Sequence, residues 1–84
     1  MSTTVFKKPT KKQITDVKNH FADTVRARRQ SLEMSQEALA KLAGVDRKTI
    51  NRIENGHFSP NLDTIVRLIS VLKLTPARLI KFNV

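Results

Sequence analysis

The stretch Ser35–Gly56, SQEALAKLAGVDRKTINRIENG, holds two short helical patterns separated by a turn. Ser35 stands where an N-cap is needed, because its hydroxyl can accept a bond from an unpaired N–H of the first turn. Gly44 can take the positive φ that ends one helix and redirects the chain. Asp46 is placed to cap the next helix, which runs to Asn55 and stops at Gly56. The join AGVD has the length of a helix-turn-helix connection, and Ala40 is small enough to let the following helix cross closely. Leu39, Val45, Ile50 and Ile53 give the unit an apolar underside.

At 100° per residue, Arg47, Lys48, Asn51 and Arg52 fall within one arc of ~140°, with Ile50 and Ile53 opposite. One side of this helix therefore carries long hydrogen-bond donors and the other carries core residues. Arg and Lys can reach O6 and N7 of guanine, and Asn can pair with adenine. Three cations on one helix also occur as a plain solvated face. The preceding helix, the glycine turn and the charge of the whole chain favour contact with DNA.

That charge is large. Sixteen Lys and Arg against seven Asp and Glu give a net +9, so polyanions are the expected partners, nucleic acid before anionic membrane. A chain of 84 residues makes one small domain with a modest core. There is no cysteine, and His20 and His57 have no second ligand at metal-binding spacing, so no metal and no cofactor are expected. No nucleophile–base set or phosphate loop is present, which argues against an enzyme. The start MSTTVFKK lacks the apolar core of a signal peptide, and no run reaches membrane-spanning length. A cytoplasmic, nucleoid-associated location follows as the expectation.

Residues 1–12 show no apolar period and carry Lys7, Lys8, Lys11 and Lys12 around Pro9, the composition of a flexible basic arm. Two readings of the arm stand: a solvated tail, or a segment that wraps along a DNA groove. A single domain is expected over 13–84. Ile14, Val17, Phe21, Val25 and Leu32 recur at helical spacing, giving a first helix that starts between Thr10 and Lys18 and ends near Ser31. Asn61 can cap LDTIVRLISVLK, and Thr75 followed by Pro76 opens a last helix, PARLIKF. No segment alternates with period two, so the fold class is all-α with five helices.

From Phe21 to Phe82 the chain resembles the Cro/CI-type (XRE) helix-turn-helix transcription regulators, among them phage repressors and restriction–modification controller proteins. The motifs that carry the resemblance are SQEALAKLAGVDRKTINRIENG, SPNLDTIVRLISVL and TPARLIKF. It implies a compact lambda-repressor-like domain, with the helix-turn-helix over 35–55 and the third helix in the major groove. It implies that Gln36, at the opening of the second helix, contacts phosphate or the first recognition residue, and Gln36 joins Arg47, Lys48, Asn51 and Arg52 as an expected base contact. Asn55, Ser59 and Asn61 would lie near phosphates, where the exposed amides at the start of the fourth helix favour an anion. Ser35, Thr49 and His57, with Lys7, Lys8, Lys11 and Lys12 of the arm, complete the expected phosphate contacts. The resemblance also implies a partly buried ion pair between Arg29 and Glu54 that orients the third helix. The arm, in turn, is similar to the lysine-rich arm of lambdoid phage repressors.

Regulators of this type commonly bind as symmetric dimers on two half-sites, so a homodimer on an inverted-repeat operator is expected. With the chain ending at Val84, the dimer would use the DNA-binding domain itself, through Leu74, Leu79, Phe82 and Val84; a core role for Leu74 and Leu79 is the other reading. The expected function is a repressor or autoregulator acting on a double-stranded DNA operator. The alternative is an antitoxin or adaptor that holds a protein partner while attached to DNA.

Overall fold

A reciprocal cap starts the first helix. The Thr10 hydroxyl accepts from the backbone N–H of Gln13 at 3.0 Å, and the Gln13 side chain accepts from that of Thr10 at 2.9 Å. In this computed structural model, which describes residues 4–82, five helices follow: α1 Lys11–Ser31, α2 Gln36–Ala43, α3 Arg47–Glu54, α4 Leu62–Leu72 and α5 Pro76–Leu79. No strand occurs among the described residues.

Ser35 and Asn61 cap α2 and α4, each accepting at 2.9 Å from the backbone N–H three residues on. Asp46 and Thr75 stand at the N-cap positions of α3 and α5, but neither side chain makes a capping bond. Pro76 opens α5 with a φ already set for a helix. That helix is one turn long rather than the seven residues of PARLIKF, because Ile80 is already extended.

The amphipathic stripes meet in one core. Phe21 and Val25 of α1, Leu39, Ala40 and Ala43 of α2, Ile50 and Ile53 of α3, and Leu68 and Leu72 of α4 pack together. Each large aliphatic side chain so buried contributes about 1.5–3 kcal/mol. α3 rests on α2 and α1, α2 on α4, and α5 on α1.

Two expectations are corrected here. Leu74 and Leu79, candidates for a dimer surface, are buried in this core at 4% and 0% exposure. Leu74, in the turn before α5, and Leu79, its last residue, both join the core cluster. The arm is also shorter than residues 1–12, since Lys11 and Lys12 belong to α1 and Lys12 pairs with Asp16 at 2.8 Å on its exposed face.

Arginines close the helices at their C-termini. Arg67 Nη1 donates to the carbonyl of Ala43, the last residue of α2, at 3.1 Å. Arg28 Nε donates to that of Leu72, the last of α4, at 2.9 Å. Arg26 Nη2 donates to that of Glu54, the last of α3. These carbonyls have no partner within their own helices, and a cation there also complements the helix dipole.

Gly44 links two of these demands. Its φ is +72°, and Arg67 Nη1 lies 2.8 Å from the point a Cβ would occupy. Gly44→Ala is expected to cost about 1–2 kcal/mol in urea unfolding through its left-handed backbone alone. Gly44→Asn should recover part of that loss. An alanine variant as stable as the parent would contradict this reading of the turn.

Candidate nucleic-acid interface

Burial of Ile50 and Ile53 turns the opposite side of α3 outward. Arg47, Lys48, Asn51 and Arg52 are all exposed on it, whereas Thr49 is half-buried. The start of α2 adjoins this surface, because Gln36 bonds to Asn51. Beyond α3, the loop 55–61 presents Asn55, His57, Ser59 and Asn61, all exposed, ahead of the first turn of α4. Asn61 caps the N–H of Thr64, so amides before it in that turn remain available to an anion. Asp63, in the same turn, opposes an anion by its charge. Ser35 spends its oxygen on Ala38 and keeps its O–H to donate. Lys7 and Lys8 are exposed ahead of α1, as is Lys11 at its start. Val84 lies outside the described residues, and Phe82 is exposed at 49%.

Beneath this surface lies a charge cluster. Glu54, at the end of α3, has only 1% of its side chain exposed. Arg29 grips it with two bonds, Nε to Oε2 at 2.7 Å and Nη2 to Oε1 at 2.9 Å. Such fork-on-carboxylate geometry is the strong form of an ion pair. The third nitrogen of Arg29 donates to the Met34 carbonyl at 2.7 Å, tying the α1–α2 loop to the same point. Hydrogen bonding to Glu54 holds the Arg29 guanidinium still more firmly charged than usual, against the desolvation of its partly buried site. A raised folded value stabilises the fold below the unfolded one and is lost only above it, so this contribution persists through neutral pH.

Two members of the cluster are not evident from the linear pattern. Arg26 adds its bond to the Glu54 carbonyl and brings Nε within 3.7 Å of Oε1. Its only signal in the sequence is its place three residues before Arg29, on one face of α1. Gln36 donates Nε2 to Glu54 Oε1 at 3.1 Å. Its oxygen accepts from Asn51 Nδ2 at 3.3 Å, and Asn51 Oδ1 accepts from Asn55 Nδ2 at 3.1 Å. Gln36 is thus engaged at both ends by protein, with Glu54 and with Asn51.

Among the described residues no group of acids or histidines is arranged to hold a metal ion. No described helix is long and apolar enough to cross a membrane.

Comparison with known proteins follows the same outline. Residues 25–79 match the helix-turn-helix family model HTH_3. The repressor protein C2 of Salmonella phage P22 is 34% identical over 61 residues, which are 73% of this chain and 28% of the repressor. The chain thus spans under a third of that relative's length. In a crystal structure of the P22 c2 repressor with a synthetic operator, the match has a TM-score of 0.70 at 32% identity, covering 75% of this chain and 96% of the other. The restriction–modification controller protein C.AhdI from Aeromonas hydrophila gives 0.70 at 33% identity, covering 76% and 96%. The hydroxypropylphosphonic acid epoxidase from S. wedmorenis gives 0.68 at 29%, but only 34% of that enzyme is matched. The fold alone therefore does not define a function.

Removing Glu54 isolates a nearly buried guanidinium, so Glu54→Ala is expected to lose about 3 kcal/mol, or roughly 12–24 °C in melting temperature. Lys12→Ala, which breaks the exposed pair with Asp16, should leave the melting temperature unchanged. Equal melts for Glu54→Ala and the parent would refute the structural role of the cluster.

Proposed function

The chain belongs to the HTH_3 family of helix-turn-helix domains, the Cro/CI (XRE) type of repressor-like regulators, and from that membership we propose that it is a sequence-specific transcription regulator acting on double-stranded DNA. The single observation that carries the reading is the outer face of α3. Arg47, Lys48, Asn51 and Arg52 stand exposed on a helix whose other side is locked into the core. An eight-residue helix fits the major groove, and these side chains are the types that reach base edges there. The P22 relative is a repressor whose structure holds an operator, and this chain would engage an operator in the same way.

Phosphate contacts would come from Ser35 at the start of α2, Thr49 on α3, and Asn55, His57, Ser59 and Asn61 in the loop after α3. Lys7, Lys8 and Lys11 would add attraction along the backbone, and Lys12 less, since Asp16 partly neutralises it.

The regulator would act as a homodimer on an inverted repeat, repressing transcription, including that of its own gene. With Leu74 and Leu79 buried, the apolar groups left exposed after α5 among the described residues are Ile80 at 45% and Phe82 at 49%. These two support a self-complementary contact. A second reading, an adaptor or antitoxin attached to DNA, rests on exposed Leu42 and Val66, which line a groove between α2 and α4. A stoichiometric second protein purifying with the chain would favour it.

Selection from random DNA at physiological salt should return an inverted repeat. Arg47→Ala and Arg52→Ala should each relax one base preference at a cost of about 1–3 kcal/mol. Deleting residues 1–9 should lower the slope of log affinity against log salt by about 0.9 for each phosphate that the arm neutralises. Phe82→Glu should shift sedimentation from dimer to monomer. A parent protein that enriches no sequence would overturn the regulator reading, an unchanged salt slope the arm's role, and a variant still dimeric the role of Phe82.

A further inference from the structure

The hydrogen-bond chain that leaves Glu54 has a direction, and that direction reaches the exposed face of α3. A carboxylate only accepts, so the end of Gln36 that meets Glu54 Oε1 at 3.1 Å must be its NH2 group. Its oxygen therefore faces Asn51 and can only accept, which makes the group opposite it the Asn51 NH2, at 3.3 Å. Asn51 Oδ1 then takes the Nδ2 donor of Asn55 at 3.1 Å. One buried charge thus sets the orientation of three amides in series, although each alone could turn over at little cost.

The consequence is countable. An amide NH2 carries two hydrogens and its oxygen two lone pairs. Gln36 uses one hydrogen of Asn51, and Asn55 uses one lone pair. Asn51 keeps one donor and one acceptor, side by side and in fixed order, on a side chain that stands exposed. In the major groove adenine offers one acceptor, N7, beside one donor, the N6 amino group. Guanine offers two acceptors, so the Asn51 oxygen would face O6 without a hydrogen between them. Thymine and cytosine each offer a single polar group.

We infer that Asn51 is an adenine-reading residue and that Gln36 is a positioning residue, which transmits the polarity of Glu54 to the Asn51 amide. The inference rests on the DNA-reading function proposed above and assigns one base of the operator to one side chain.

Selection from random DNA with the full chain tests both parts. The parent should favour adenine about tenfold or more at one position of each half-site. Asn51→Ala should erase that preference and leave the others intact. Gln36→Met, which keeps length and apolar bulk but no hydrogen bonds, should reduce the same preference severalfold while Asn51 is still present. Its melting temperature should stay close to the parent's, and a purely structural role would not act on one base alone. If Asn51→Ala retained every base preference, the adenine assignment would fail while the regulator reading stood. Should Gln36→Met keep the full adenine preference, the positioning role would fail. A parent that selects no sequence would instead overturn the DNA-reading function and this assignment with it.

Discussion

A carboxylate buried at the end of a helix must be neutralised where it stands, because an unpaired charge out of water costs several kcal/mol. For Glu54 the neutralising groups come from α1, as Arg29 in bidentate contact and Arg26 alongside. This requirement fixes how α3 lies against α1 more closely than apolar packing can, since Ile50 and Ile53 could slide over aliphatic neighbours at small cost. The same guanidinium holds the Met34 carbonyl, so the loop leading into α2 is located from the same point. Both halves of the helix-turn-helix are thus referred to one ion pair.

The basic composition divides between two tasks. Arg26, Arg28 and Arg67 each donate to the last carbonyl of a different helix, and Arg29 neutralises Glu54. These cations stabilise the fold and add little to a DNA surface. Arg47, Lys48 and Arg52 stand on the outward face of α3, with Lys7, Lys8 and Lys11 displaced toward the start of the chain. A net charge of +9 therefore overstates how many cations are left free to meet a polyanion.

The five helices were legible in the sequence because local signals mark them: the apolar spacing of α1, and Ser35, Gly44, Asn61 and Pro76, which each act within a few residues of their own position. The outward set on α3 follows from the 3.6-residue period for the same reason. What stayed hidden involves partners far apart in the chain. Arg67 meets Ala43, Arg28 meets Leu72 and Gln36 meets Glu54 only once the helices have packed. The end of α5 after one turn was equally hidden, because no capping residue announces that stop. Asp46 shows the converse, a residue of the right type in the right place whose side chain makes no cap.

If the ion pair aims α3 in addition to stabilising it, replacing the pair by an apolar one separates the two effects. Arg29→Met combined with Glu54→Leu fills a similar volume without buried charge, and such replacements are often neutral or stabilising. Affinity of this double variant for the selected operator, compared with its affinity for unrelated DNA at the same salt, is the deciding measurement. The double variant should fold as stably as the parent with a specificity ratio reduced about tenfold or more, since the amides from Gln36 to Asn55 lose their common orientation. A double variant that is equally stable and equally specific would contradict the aiming role.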